Sequence, residues 1–135
     1  MRLRSVLALR LYTTWVFKSI NNPLRDLDRT TAHPLAVTVF FLADAIKRLR
    51  ACGAYDKQGE VTLWRGMKNV RVDDTFMAEG GSERAPMSTT SDLAVAASYS
   101  ASECALFFKI KTNSFLQRGV DLTFISAFPA EAEYL

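Results

Sequence analysis

Residues 124–135 are Phe-Ile-Ser-Ala-Phe-Pro-Ala-Glu-Ala-Glu-Tyr-Leu. The apolar run before them, together with Phe124 and Ile125, predicts a buried strand over Val120–Ile125, and Pro129 ends its ladder because proline has no N–H to donate. Glu131 and Glu133 follow with one residue between them. If this segment is extended, side chains two positions apart point to the same face, so both carboxylates enter one site. The alternative is a solvated acidic segment, since such a triplet is common.

The rest of the C-terminal half carries short β-prone runs separated by polar loops. Predicted strands upstream of Val120–Ile125 are Val61–Trp64, Val70–Val72 and Ala105–Lys111. Ser91 or Asp92 is positioned to cap a short helix that runs to Ser100. Loop-like composition covers residues 73–85, and residues 113–119 turn the chain.

The N-terminal half has the apolar spacing of helices. The predicted segments are a helix over residues 3–19 broken near Tyr12-Thr13-Thr14, a turn at Asn21-Asn22-Pro23, a short helix within 24–31 and a helix over 34–51 that stops at Gly53. Helices followed by strands predict an α+β fold rather than alternating βαβ units. We expect one domain over residues 1–135, with a helical part over 1–52, a polar connection over 53–60 and a β-rich part over 61–135.

Composition limits the classes of function. The chain has 135 residues, 49% of them hydrophobic, and its net charge of +3 is too small to indicate nucleic acid. His33 is the one histidine, and Cys52 and Cys104 have no metal-ligand spacing, so we expect no metal. No apolar run approaches the length of a membrane span, and Arg10 interrupts the apolar start before it resembles a signal peptide. A cytoplasmic location is the default expectation, and no membrane partner is expected.

Polar clusters lie beside the predicted strands of the C-terminal half. They are Leu63-Trp64-Arg65-Gly66-Met67, Pro86-Met87-Ser88-Thr89-Thr90 and Ser126-Ala127-Phe128-Pro129-Ala130-Glu131-Ala132-Glu133. In this order the chain resembles the arginine-specific mono-ADP-ribosyltransferases of the R-S-E class. The motifs cover residues 61–135, with weaker likeness at Tyr12-Thr13-Thr14 and at Asn22-Pro23-Leu24-Arg25. The family's usual serine-threonine-serine run has Thr90 in its third position here. Such domains usually continue with a further strand, so we expect the sheet to lack an edge.

The resemblance implies a mixed or antiparallel β-sandwich core behind the N-terminal helices, and transfer of ADP-ribose from NAD or NADP to arginine side chains of a protein. Positive charge develops on the ribose as nicotinamide leaves, as in glycoside hydrolysis, and a carboxylate stabilises it. That carboxylate would belong to Glu133, which holds a ribose hydroxyl. Glu131 would bind and orient the acceptor guanidinium, or take its proton late in the reaction.

The remaining implied roles concern binding. Arg65 would hold the dinucleotide phosphates, and Gly66 would let backbone approach the nicotinamide amide. Ser88 would hydrogen-bond Glu133 and fix its rotamer. Thr89 and Thr90 would support the strand or touch the ligand. The last predicted site residue is Phe128, which would contact the protein target or else pack within its turn.

Two other functions remain open on the sequence alone. The chain could be a non-catalytic interaction module on the same fold, or an NAD glycohydrolase that uses water as the acceptor. Retention of Glu131 argues against the glycohydrolase only by analogy. No Rossmann glycine pattern is present, so NAD would not be held as in a dehydrogenase.

Overall fold

The computed structural model describes residues 2–53 and 59–135, and it confirms the predicted α+β class with N-terminal helices. The helices are α1 (Leu3–Tyr12), α2 (Phe17–Arg25), α3 (Ala36–Cys52), α4 (Asp74–Glu79), α5 (Leu93–Ser100) and α6 (Phe115–Arg118). The strands are β1 (Val61–Lys68), β2 (Thr89–Thr90), β3 (Ala105–Thr112) and β4 (Glu133–Tyr134).

The strands form one antiparallel sheet in the order β3-β1-β2-β4. Strands β1 and β3 pair along their whole length, from Val61 opposite Thr112 to Lys68 opposite Ala105. Burial alternates along β3, as expected for a strand with one face towards the interior. The short strands β2 and β4 continue the sheet, and Thr90 lies opposite Glu133. Strand pairing therefore brings the serine-threonine motif beside the acidic motif.

The hydrophobic core joins the N-terminal helices to the C-terminal segment. Its buried residues are Ala8, Leu9, Tyr12, Ile20, Leu42, Ala45, Val120, Leu122, Ile125 and Leu135. Burial of such side chains contributes about 1.5–3 kcal/mol each relative to exposure. The apolar residues before the acidic pair are thus anchored against helices from the start of the chain.

Two helical predictions are confirmed within a residue or two at their ends. The helix predicted over 34–51 is α3, and Gly53 follows its last residue. Helix α5 begins after Asp92, whose side chain accepts a hydrogen bond from the Ala94 N–H at 2.7 Å. The predicted break near residues 12–14 separates α1 from α2. The strands predicted at Val61 and Ala105 are also present, although β1 runs on through Arg65 and Gly66 to Lys68.

Several local predictions are wrong. Residues 70–72 form no strand, and the predicted strand Val120–Ile125 is reduced to an isolated bridge between Asp121 and Tyr134. Instead, the N–H groups of Ile125 and Ser126 both donate to the Leu122 carbonyl, which makes a turn. Buried apolar side chains can belong to a turn as well as to a strand, so the apolar run does not distinguish them.

The expected turn at Asn21-Asn22-Pro23 is also wrong, because these residues lie inside α2. The short helix expected within residues 24–31 is absent too, since α2 itself continues to Arg25. Ile20 and Asn21 are buried there, so tertiary contacts outweigh the low helical propensity of proline. The loop-like stretch after Asp73 contains α4, and the turn after Asn113 contains α6. The predicted polar connection over 53–60 falls mostly on residues 54–58, which lie outside the described residues. Within the described ranges, no helix is long and apolar enough to cross a membrane.

Candidate active site

Arg65, Ser88 and Glu133 come together although they lie in separate parts of the chain. Arg65 lies in β1, Ser88 directly precedes β2 and Glu133 begins β4. Arg65 Nη1 donates to the Ser88 carbonyl at 2.8 Å, and Ser88 Oγ donates to Glu133 Oε1 at 2.6 Å. The hydrogen bond that the resemblance implies between Ser88 and Glu133 is therefore present. Ser88 thus links the two charged residues, with its backbone carbonyl bonded to Arg65 and its side chain bonded to Glu133.

Glu133 is a buried carboxylate with only 8% of its surface exposed. Burial raises its pKa, and the nearby negative charge of Glu131 raises it further. The hydrogen bond from Ser88 acts in the opposite direction, because it stabilises the charged form. Glu133 thus holds its proton more firmly than an exposed glutamate does, which is typical of functional carboxylates.

Glu131 reaches the site by a different backbone path from the one expected. Pro129–Glu131 form a 3₁₀ turn, and Ala132 has left-handed backbone angles with φ 45° and ψ 49°. The expectation that an extended strand aligns both carboxylates is therefore wrong, since the strand begins only at Glu133. The two side chains are nevertheless near enough for Glu131 to raise the pKa of Glu133. Tyr99 donates its hydroxyl to Glu131 Oε1 at 2.6 Å.

Thr89 and Thr90 are buried, and their hydroxyl groups bond to backbone. Thr89 Oγ1 donates to the Tyr134 carbonyl at 3.2 Å, and Thr90 Oγ1 donates to the Glu131 carbonyl at 2.7 Å. Thr90 Oγ1 also accepts from the Asp92 N–H at 3.0 Å. These bonds hold β4, and the Pro129–Glu131 turn before it (the acidic turn), against β2. The sequence left two roles open for Thr89 and Thr90, support of the strand and contact with the ligand. These bonds favour support of the strand.

Gly66 has a packing reason for lacking a side chain. A Cβ at this position would lie 2.0 Å from the Ala96 carbonyl oxygen and 3.1 Å from Ser100 Cβ. Helix α5 therefore sits directly on β1 at Gly66, where any larger residue would push it away. The implied approach of the Gly66 backbone to nicotinamide stays a prediction.

Phe128 lies at the tip of the turn and is 47% exposed. Its N–H donates to Ser126 Oγ at 3.0 Å, which fixes the backbone before the 3₁₀ turn. A half-exposed ring is available for contact with another molecule while its buried half packs locally. Contact with a protein target remains a prediction for this residue.

Further charges surround Arg65. Burial lowers its pKa, and the positive charge of Arg25 lowers it further. Arg25 itself forms a two-bond ion pair with Glu83, at 3.0 and 2.9 Å. This pair is exposed, so its contribution to stability is small. Two arginines near one another favour an anionic ligand beside Arg65.

Two cavities of the protein lie away from this site. A cavity of about 410 Å³ is lined by Leu49, Arg50, Cys52, Gly53, Arg118, Gly119, Val120, Asp121, Thr123, Phe124 and Tyr134, and a second of about 250 Å³ lies between α1 and α3. None of the predicted site residues lines either cavity. The hydrogen bonds of Ser88 with Arg65 and Glu133 nevertheless link the predicted residues directly. Among residues 2–53 and 59–135, no cluster of His, Cys, Asp and Glu could hold a metal ion.

Comparison with known proteins identifies the fold. No protein-family model matches the chain, and neither does any curated protein. Among solved structures, Plx2a, an ADP-ribosyltransferase toxin from Paenibacillus larvae, matches with a TM-score of 0.69 and 15% identity, over 98% of this chain and 71% of that one. Exoenzyme S from Pseudomonas aeruginosa, solved in complex with human 14-3-3 protein beta and bound to carba-NAD, matches with a TM-score of 0.69 and 20% identity, over 97% of this chain and 60% of that one. The chain has the fold of ADP-ribosyltransferase toxins.

Within this ADP-ribosyltransferase fold, a buried polar network supports the site from the helical part. Tyr12 Oη donates to the Pro86 carbonyl at 2.9 Å and accepts from Asn21 Nδ2 at 3.0 Å. Burial raises the pKa of Tyr12, while its bonds to Asn21 and to the Ser88 side chain lower it. Sequence reasoning noted Tyr12 only as part of a weak likeness and as a helix break. The signal in the sequence that could have indicated a buried role for Tyr12 is its position, as a large aromatic residue at the break between two helices.

Helix α1 and the residue after it also contact the segment just before the Pro129–Glu131 turn. Arg10 Nη1 donates to the carbonyls of Ile125 and Ser126, at 3.1 and 3.4 Å. Thr13 Oγ1 accepts from the Ala127 N–H at 2.9 Å and donates to the Arg10 carbonyl at 2.8 Å. Nothing in the local sequence predicts the contacts with residues 125–127, because their partners are more than a hundred positions away.

Proposed function

We propose that this chain transfers ADP-ribose from NAD to an arginine side chain of a protein and releases nicotinamide. The observation that carries the proposal is the hydrogen bond from Ser88 to the buried carboxylate of Glu133, beside Arg65. A hydrogen-bonded carboxylate and a guanidinium that are both bonded to Ser88 suit a substrate that joins a ribose to phosphates. The fold shared with ADP-ribosyltransferase toxins supports the same reading.

Glu133 acts on the ribose. The bond between the nicotinamide nitrogen and the ribose C1′ breaks, nicotinamide leaves with the electron pair, and positive charge develops on the ribose. The ionised carboxylate of Glu133 accepts a hydrogen bond from a ribose hydroxyl and stabilises that charge. Ser88 keeps Glu133 in place and favours its ionised form.

Glu131 acts on the acceptor. A guanidinium is protonated at neutral pH and is then a poor nucleophile. The carboxylate of Glu131 binds the guanidinium and orients one nitrogen towards C1′. As the new bond between that nitrogen and C1′ forms, Glu131 takes the proton that the nitrogen releases.

The remaining residues bind and support. Arg65 would hold the dinucleotide phosphates: Nη1 donates to the Ser88 carbonyl, and its other N–H groups make no hydrogen bond to the described residues. Gly66 would present its backbone to the nicotinamide amide. Thr89 and Thr90 hold the acidic turn, and Phe128 would contact the protein target. NADP would be an alternative co-substrate, which the assay below can include.

The test is a mass-spectrometric assay with NAD and agmatine, an arginine-like acceptor. We expect the wild type to add ADP-ribose to agmatine and to release nicotinamide. Glu131→Ala should lose the transfer and keep some NAD hydrolysis, while Glu133→Gln should lose both. Glu103→Ala, which removes an exposed carboxylate elsewhere, is the matched control and should behave as the wild type.

The other outcomes distinguish the remaining functions. Release of nicotinamide by the wild type with no labelled agmatine would identify a glycohydrolase. A folded wild type that neither binds nor cleaves NAD would identify a non-catalytic interaction module. Equal loss of both activities in Glu131→Ala and Glu133→Gln would contradict the division of roles between the two glutamates.

A further inference from the structure

Tyr99 makes a direct contact with the acidic turn. It lies near the end of α5, and its hydroxyl donates to Glu131 Oε1 at 2.6 Å. The ring is 49% exposed, so the contact faces the outside of the protein and is not part of the core. Sequence reasoning assigned no role to this residue.

The direction of the hydrogen bond is set by charge. Burial, the bond to Glu131 and the charges of Glu131 and Glu133 raise the pKa of Tyr99 to about 12. The phenol therefore stays protonated at neutral pH and donates, while the carboxylate accepts. Glu131 Oε2 receives no hydrogen bond from the described residues, so one oxygen is held and the other remains for a ligand.

The rest of the local structure fixes the two partners of this bond. The Glu131 carbonyl accepts from Thr90 Oγ1, and the adjoining Ala132 carbonyl accepts from the Ser91 N–H at 3.4 Å. On the other side, Gly66 allows α5 to lie close against β1. The helix that carries Tyr99 and the turn that carries Glu131 are thus both anchored to the sheet.

We propose that Tyr99 is a positioning residue that holds one oxygen of Glu131, so that the other can bind the acceptor guanidinium. It would thereby determine how much ADP-ribose goes to arginine and how much to water. A glutamate side chain that is free to rotate loses rotamer freedom when it binds a ligand, and a prior hydrogen bond removes part of that cost. The inference rests on the proposed function, because it needs Glu131 to bind the acceptor.

The test compares Tyr99→Phe with the wild type in two reactions: ADP-ribosylation of agmatine, and nicotinamide release without agmatine. We expect kcat/KM for agmatine to fall about tenfold, as for loss of one hydrogen bond to a charged group. Nicotinamide release and the KM for NAD should change by less than about twofold, since neither depends on acceptor binding. Ser98→Ala is the control on the same helix, because its hydroxyl donates only to the Val95 carbonyl at 2.7 Å.

A double variant checks that Tyr99 acts through Glu131. If it does, Tyr99→Phe lowers the transfer no further in a Glu131→Asp background, where a carboxylate remains but its shorter side chain no longer reaches Tyr99. Additive losses would overturn the inference, and so would equal falls in transfer and hydrolysis, or unchanged transfer by Tyr99→Phe. A wild type that turns over no NAD would instead overturn the proposed function, so the two failures are distinct.

Discussion

The hydroxyl of Ser88 lies 2.6 Å from Oε1 of Glu133, and this bond joins the segment before β2 to the first residue of β4. Ser88 lowers the pKa of Glu133, whereas burial and the charge of Glu131 raise it. The protonation state of Glu133 therefore depends on the balance between burial and the charge of Glu131, which favour the protonated form, and the hydrogen bond from Ser88, which favours the ionised form.

Replacing Ser88 with alanine should move the pH dependence of the reaction. Without the donated bond, the pKa of Glu133 rises further, and the ionised form that the reaction needs appears only at higher pH. The acidic limb of nicotinamide release, followed from about pH 5 to about pH 9, should shift to higher pH. Ser88→Thr keeps a hydroxyl and should restore the profile in part. A lower rate with an unshifted limb would contradict this account.

Glu133→Gln should stabilise the folded protein at neutral pH. The folded-state pKa of Glu133 is raised, so its ionisation costs stability as the pH rises through that value, and the cost is absent below the ordinary pKa. Glutamine avoids the buried charge and can still accept the hydrogen bond from Ser88. Thermal unfolding should show a higher Tm than the wild type at about pH 8, and the difference should disappear at about pH 4. A lower Tm at both pH values would show that the charge is compensated.

Gly66→Ala should destabilise the protein through α5. The added Cβ would meet the Ala96 carbonyl at 2.0 Å, so the helix must move away from β1. We expect a loss of about 1–3 kcal/mol in the free energy of unfolding, measured by urea denaturation. Gly53→Ala is the matched control, because none of the residues that the structure describes lies within 4 Å of a Cβ at that position. Equal stability of the two variants would mean that α5 is not closely packed at Gly66.

Thr13→Val should weaken the contact between the end of α1 and Ala127, just before the turn that carries Glu131. Valine keeps the shape of threonine but leaves the partly buried Ala127 N–H without its acceptor. Loss of that bond should cost about 1–3 kcal/mol. Urea denaturation measures the loss, and the KM for agmatine should rise because Ala127 lies just before the Pro129–Glu131 turn. Thr14→Val is the control, since its hydroxyl bonds only within its own turn, to the Leu11 carbonyl and the Val16 N–H.

Sequence reasoning could predict the elements whose signals are local. Helix α3 has a continuous apolar stripe, and β3 alternates between its faces, so each pattern fixes its element. The start of α5 was predictable within one residue, because Ser91 and Asp92 are both good helix caps and Asp92 is the one used. The order of Arg65, Ser88 and Glu133 also carried the resemblance on which the site prediction depended.

The parts that failed depend on distant contacts. Asn21-Asn22-Pro23 are helical because Asn21 is buried and bonds Tyr12 and the Pro86 carbonyl, which no local pattern reveals. The alignment of Glu131 and Glu133 depends on Ala132 in a left-handed conformation, which only a few per cent of non-glycine residues adopt. The partner of Glu131, Tyr99, lies on a helix that reaches the turn only after α5 packs on Gly66.

The contacts from Arg10 and Thr13 to residues 125–127 have a consequence for refolding. Closing a loop of more than a hundred residues costs chain entropy, which local helical contacts do not have to overcome. After dilution from denaturant, helical circular dichroism should therefore return before the turn that carries Glu131 is assembled. Recovery of catalysis would then lag behind recovery of secondary structure, and the lag would report when the two ends of the chain meet.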